Sequence, residues 1–201
     1  MHIISGLYKG RKILAPKGLK TRPTSGRLRE ALFNICQGEV EGAAFLDLFA
    51  GSGAMGLEAY SRGARMTTFV DNSRESIRCI QGNLQALDLE KTSKVIYGDV
   101  FEVLADLVRR GNGYDLIYAD PPYESYVNIE KSSLSYSARL VQLIDRYTGS
   151  EQALLKLGGS LFIEDAANAV PQDQAEVKHL ELRSSRLMGR SALQHWIRKV
   201  G

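Results

Sequence analysis

Asp120-Pro121-Pro122-Tyr123 packs more chemistry into four residues than any other stretch of this chain. It follows Tyr114-Asp115-Leu116-Ile117-Tyr118-Ala119, an apolar run that predicts a buried strand. Proline fixes φ and has no N–H, so Pro121 and Pro122 turn the chain stiffly and present carbonyl oxygens that no strand ladder consumes. A carboxylate, a free carbonyl and a flat ring at fixed spacing suit a planar group that bears an NH2. Asp120 and the Pro121 carbonyl would accept the two amine hydrogens, pulling the nitrogen toward sp3. Tyr123 would stack on the ring, a contact that contributes ~1–3 kcal/mol for a nucleobase.

A second constellation lies upstream. Gly51-Ser52-Gly53-Ala54-Met55-Gly56 has the G-x-G-x-x-G spacing, and Asp71 follows twenty residues after Gly51. By pattern alone this is a dinucleotide fingerprint, so a dehydrogenase stays open, as does a glycine turn that merely packs a helix on a strand. Asp47, four residues before Gly51, argues for another ligand. A negative charge there would repel a pyrophosphate but pair with the ammonium of a zwitterion such as S-adenosylmethionine, which has no phosphate for a helix N-terminus to neutralise. Asp71 would then hold the ribose diol. Asp99 would accept from the adenine amine or, alternatively, cap a helix.

The elements that must position these groups alternate. Strands are expected at Ala44–Phe49, Met66–Val70, Lys94–Tyr97, Tyr114–Ala119 and Ser160–Glu164. Helices are expected at about Ser25–Gln37, from Leu57, at Ser73–Leu87, after Asp99 to about Arg110, and through to about Leu157 with a break at Gly149. Two strand-like runs, 175–185 and 192–199, close the chain. Such alternation implies a mostly parallel sheet covered on both faces, with ligands at the carboxyl ends of the strands. Asp47, Asp71, Asp99 and Asp120 all fall at that edge. Residues 1–25 read as a separate basic extension built on a strand pair with glycine turns, and residues 26–201 as the main domain. Basic and aromatic residues interleave in the extension, as suits phosphate contact and base stacking.

A hydrophobic share of 44% and a charged share of 24% allow a sizeable core. No apolar run reaches the ~18 residues of a membrane span, and no secretory signal is expected. Two distant cysteines, Cys36 and Cys79, suggest free thiols in a reducing compartment, and three scattered histidines give no metal site. Residues 1–40 hold eight Lys/Arg against two acids and residues 176–201 hold six against two, whereas the stretch between holds 12 against 19. Basic ends around an acidic body suggest a bound polyanion.

Gly6-Leu7-Tyr8-Lys9-Gly10-Arg11, Thr21-Arg22-Pro23-Thr24, Arg27–Asn34, Leu46–Gly53 and Asp120–Tyr123 together resemble a known family. The chain looks like a class I, Rossmann-like S-adenosylmethionine-dependent methyltransferase. It is most similar to the RsmD family, bacterial methyltransferases of the guanine N2 of 16S ribosomal RNA. That resemblance implies an α/β fold with a seven-stranded, mostly parallel sheet, helices on both faces and a small N-terminal β-hairpin extension. It implies catalysis by Asp120, Pro121, Pro122 and Tyr123, and cofactor binding by Asp47, Phe49, Gly51, Gly53, Asp71, Asn72, Asp99 and Val100. RNA contacts fall to Tyr8, Lys9, Arg11, Lys12, Arg22, Arg27 and Arg29. The expected partner is 16S rRNA, naked or within an assembling small subunit, met by a cytoplasmic monomer with no metal. The family usually carries Asp where this chain has Gly26, and Glu where it has Asp71. Competing readings are an N6-adenine DNA methyltransferase, for which the stretch after Tyr123 leaves little room for a target-recognition domain, a glutamine methyltransferase, which would carry Asn at 120, and a non-catalytic RNA-binding assembly factor.

Overall fold

The structure is a computed structural model that describes residues 1–16, 26–111, 113–122, 135–167 and 177–200. Seven strands form one sheet in the order β3-β2-β1-β4-β5-β7-β6. Their ranges are β1 Ala44–Leu48, β2 Met66–Asp71, β3 Ser93–Tyr97, β4 Tyr114–Ala119, β5 Leu155–Ala166, β6 Leu180–Met188 and β7 Ser191–Arg198. The pairings among β1 to β5 are parallel, and β7 is inserted antiparallel between β5 and β6.

The central strands are apolar throughout because they are covered on both faces. Helices α4 (Val100–Arg109) and α5 (Tyr136–Thr148) pack over Leu46, Leu48, Ile117, Leu161 and Ile163. Helices α1 (Gly26–Ile35) and α2 (Ala54–Ser61) cover Phe45, Tyr118, Phe162 and Leu193 on the opposite face. Beside them α3 (Arg74–Gln85) and α2 close over Phe69.

Three expected boundaries change. The helix expected to reach Leu157 ends at Thr148, capped by Gly149, where a Cβ would stand 2.2 Å from the His179 ring. Leu155 then opens a β5 that is longer than expected at its start. The next strand begins at Leu180 because the Asp145 carboxylate of α5 accepts the amides of Lys178, His179 and Leu180 at 2.8–3.0 Å, fixing the entry to β6.

The start of the chain is less regular than a strand pair. Among the described residues its pairing is one isolated antiparallel bridge, His2–Lys12, with Gly10 N–H donating to Ile3 O at 2.9 Å. Ile3 and Ile13 are almost fully buried against α2 and α3, so residues 1–16 form a strap sealed to the main body. Glu58 of α2 holds it. Its carboxylate is completely buried and accepts the amides of Ile4 at 2.8 Å and Ser5 at 3.0 Å. Ser61 takes the Tyr8 amide through Oγ and the Leu7 amide through its carbonyl. Arg22, Thr24 and Ser25 lie outside the described residues.

Candidate functional site

The carboxyl ends of β1, β2 and β4, with the loop after β3, surround a cavity of about 380 Å³. Its wall includes Asp47, Phe49, Gly51, Asp71, Asn72, Asp99, Asp120 and Pro122, so eight of the residues singled out from the sequence meet at one place. Gly53, Val100 and Pro121 do not line it, and Tyr123 lies outside the described residues.

The glycine loop earns its shape from three constraints. Gly53 is the N-cap of α2 at φ 76°, where an L side chain is strained, and a Cβ there would crowd Phe69 and Ile80 at 3.2 Å. A Cβ on Gly56 would stand 2.3 Å from the Phe69 ring, so the helix can approach the sheet only over a glycine. Phe49 accepts φ 57°, a sparsely populated conformation for a residue with a side chain. Gly53 therefore builds the loop from behind rather than touching a ligand.

Asp47 is 1% exposed in the middle of an apolar strand. Its Oδ2 accepts the Gly56 amide at 2.9 Å, which ties β1 to α2, while its Oδ1 has no hydrogen-bond partner among the described residues. Burial pushes this carboxyl well above the usual carboxylate range, and Asp71 and Asp120 add to the rise. An unsatisfied buried acceptor costs about 1–3 kcal/mol, more if charged, and a cationic donor in the cavity would remove that cost. The residues thus fit the ammonium of S-adenosylmethionine.

Asp71 is committed on both oxygens. Oδ2 accepts the Gly51 amide and Oδ1 the Ser73 amide, each at 2.8 Å, so the carboxylate sets the path of the glycine loop and of the approach to α3. Asp71 also lines the cavity, and each oxygen keeps capacity to accept a further hydrogen bond. Asp99 is the N-cap of α4: its Oδ1 accepts the Phe101 amide at 2.9 Å. The capping role weighed for it is present, and Asp99 also lines the cavity. Val100 is a core residue at 2% exposure.

Asp120 leaves β4 with its amide donating to Leu48 O at 3.4 Å. Burial, and after it the charge of Glu164, raise its carboxyl to about 8. Glu164, near the end of β5, accepts the Tyr118 hydroxyl at 3.0 Å, and Tyr118 also lines the cavity. Sequence reading passed over both. Glu164 carried the same signal as the four aspartates, an acid near the carboxyl end of an apolar strand, but without a neighbouring motif. Tyr136, the first residue of α5, was also missed. Its ring meets Phe49 edge-on at 6.4 Å and Phe101 at 5.5 Å, giving the cavity an aromatic wall. Met1, Ala15 and Pro16 bring the N-terminal strap to the same cavity.

The basic residues expected to touch RNA separate. Lys9, Arg11, Lys12 and Arg27 are exposed. Arg11 reaches the carbonyl of Ala86 at the end of α3 at 2.9 Å. Tyr8 is half-buried against Tyr60, ring centroids 6.4 Å apart. Arg29 is corrected outright: at 3% exposure it cannot meet a phosphate. It donates to His2 O at 3.1 Å and lies 3.9 Å from Glu58, so it is an internal post for the strap. Nothing in α1 marks this, because the partner that buries it is 29 residues away. Cys36 is buried, which pushes its thiol up to about 12 and leaves it unreactive, whereas Cys79 is only half-buried. Among the described residues no three His, Cys, Asp or Glu side chains cluster as a metal site, and no helix is long and apolar enough to cross a membrane.

Comparison with known proteins follows the same lines. Residues 1–192 match the family described as Conserved hypothetical protein 95. YlbH of Bacillus subtilis is 40% identical over 124 residues, 62% of this chain and 67% of that protein. Ribosomal RNA small subunit methyltransferase D of Escherichia coli K12 is 36% identical over 123 residues, 61% of this chain and 60% of that enzyme, so the alignment leaves two fifths of it uncovered. Among solved structures, yhhF from Escherichia coli superimposes with a TM-score of 0.78 at 28% identity, covering 99% of this chain and 98% of the other.

Proposed function

The chain belongs to the Conserved hypothetical protein 95 family, the RsmD methyltransferases, and from that premise we propose that it transfers a methyl group from S-adenosylmethionine to the exocyclic N2 amine of a guanine in 16S ribosomal RNA. The observation that carries this reading is the cavity that runs from the unsatisfied Oδ1 of buried Asp47 to Asp120. One end lacks a cationic donor; the other offers an acceptor for an amine.

S-adenosylmethionine supplies an electrophilic sulfonium methyl. The protein supplies the rest by position and charge. Asp47 takes the ammonium of the donor, and the Asp71 and Asn72 side of the cavity receives its ribose. Phe49 and Tyr136 offer flat faces for its adenine. At the acceptor end Asp120 takes a hydrogen of the guanine amine, with the Pro121 carbonyl taking the other and Tyr123 stacking on the base. An exocyclic amine is a poor nucleophile while its lone pair is delocalised, and these two acceptors localise the pair on nitrogen. Methylation leaves a surplus proton on that nitrogen. A carboxyl held near 8 in the free protein is well matched to receive it. The base must leave its stack to reach this depth.

The substrate is 16S rRNA, naked or in an assembling small subunit, met by a cytoplasmic monomer that uses no metal. Mass spectrometry of ribosomal RNA digests from cells with and without the gene tests the reading. Loss of one N2-methylguanosine is expected, and an unchanged level overturns the substrate assignment.

A further inference from the structure

The sheet register carries a line from the acceptor end of the cavity to a basic edge. Ala119 of β4 faces Ile163 of β5, Ile163 faces Gln194 of β7, and Gln194 faces Ser185 of β6. One rung further toward the carboxyl edge, Glu164 faces Leu193 and Leu193 faces Arg186. Continuing the β4–β5 register by one residue sets Asp120 on that rung. Cross-strand partners share a face, here the one that α1 and α2 cover over Tyr118 and Leu193. With strands ~4.8 Å apart, the Arg186 backbone stands about 14 Å from that of Asp120.

The β6–β7 turn extends the same edge. Ala167, just past β5, donates its amide to the carbonyl of Arg190 at 2.9 Å, which pins the turn beside the Glu164–Asp165 end of β5. Arg186 and Arg190 are both exposed, as is Leu187 between them. Among the described residues neither arginine has a carboxylate partner, whereas Arg183 is held by Glu181 at 3.6 Å. The N-terminal strap lies elsewhere. It packs on α2 and α3, next to β2, on the other wing of the sheet, and Arg11 is tied to the far end of α3. The Arg186 and Arg190 guanidinium groups, without carboxylate partners among the described residues, lie on β6 and its turn to β7 beyond the acceptor end, with Arg186 on the rung of Asp120.

We propose that the β6–β7 turn is an RNA-backbone grip, with Arg186 and Arg190 holding phosphates that flank the target nucleotide while its base enters the cavity. This rests on the methyl-transfer reading above for its choice of RNA. The chemistry is that of the guanidinium fork, which matches a phosphate bidentately. A base withdrawn from its stack needs its backbone fixed beside the pocket, and phosphate contacts do that without reading sequence.

The test is the double variant R186A/R190A, compared with R78A, which removes an exposed arginine of α3 on the other wing of the sheet. Unmodified 16S rRNA, both as transcript and within reconstituted small subunits, is the probe, with fluorescence anisotropy on the transcript for binding and labelled S-adenosylmethionine for turnover on both. The double variant is expected to melt with the wild type and bind donor normally. Its KM for RNA should rise about tenfold at unchanged kcat, and its log K against log[salt] slope should flatten by about 1.4, at ~0.7 per phosphate contact on single strands. R78A should behave as wild type. An unchanged slope and KM in the double variant overturns the grip. So does a defect confined to assembled particles, which would make this edge a protein contact. Absence of methyl transfer by the wild type would overturn the function proposed above, and the anisotropy slope would still decide the grip.

Discussion

The hydroxyl of Tyr118 donates to Glu164 Oε2 at 3.0 Å, joining β4 to β5 two residues before Asp120. The cavity thus has a second acid behind its acceptor end, and the charge of Glu164 helps to hold the Asp120 carboxyl at about 8, after burial itself. A site that must accept amine hydrogens, and then a proton, is tuned by a residue that need never touch the base.

This gives a pH dependence with a definite sign. Asp120 accepts hydrogens best when ionised, so kcat/KM should rise with pH through about 8 in the free enzyme. Glu164→Gln keeps a hydrogen-bond acceptor for Tyr118 but removes the charge. The acidic limb of the profile should then move to lower pH, only in part, because burial remains. A limb that stays in place would mean that Glu164 does not act on Asp120.

Asp47 should show the opposite balance between stability and binding. Its folded carboxyl is raised, so the native state keeps a proton that the unfolded chain releases above about pH 4. Stability therefore falls as pH rises above that point, and the loss ends only once the folded pKa is passed. Asp47→Asn can still accept from Gly56 N–H and removes the buried acid. Melting temperature at pH 7 should rise, while donor affinity falls by about 1.5–3 kcal/mol, ten- to over a hundred-fold. Calorimetric titration and a melting series over pH check both, and unaltered donor affinity would remove Asp47 from the ammonium site.

Arg29 offers a test of the strap. Among the described residues its Nε and Nη1 are buried without hydrogen-bond partners, and a Cβ built on Gly26 stands 4.0 Å from its Nη2. Gly26→Asp places a carboxylate within reach of that guanidinium in the first turn of α1, where negative charge is also favoured. A gain of about 1 kcal/mol is expected. Arg29→Ala leaves Glu58 with one cation fewer and should cost about 3–5 kcal/mol. Thermal melting reads both changes. A stable Arg29→Ala protein with weakened RNA binding would restore the phosphate role that its burial denies.

The four aspartates were legible in the sequence because each interrupts or ends an apolar run, and a charge in such a place has few structural excuses. The glycine loop was legible from its spacing, although only contacts separate Gly51, which lines the cavity, from Gly53 and Gly56, which let α2 approach Phe69. What stayed hidden depends on long-range partners. Glu58 reads as one more acid on a short helix, yet its carboxylate receives two amides from residues more than fifty positions away. Arg29 reads as a surface cation for the same reason. Asp145 likewise fixes the start of β6 from α5 across 33 to 35 residues. Tyr118 and Glu164 are paired by sheet order, which places β4 next to β5. No local pattern states that.

The most direct measurement pairs transfer with binding in one variant. Unmodified 16S rRNA, naked and within reconstituted small subunits, is incubated with S-adenosylmethionine and either wild-type protein or Asp120→Ala, and the nucleosides are resolved by mass spectrometry. The wild type should produce N2-methylguanosine, and Asp120→Ala should produce none while binding the donor with near-unchanged affinity by calorimetry. Formation of N6-methyladenosine instead, or full transfer by Asp120→Ala, would contradict the account.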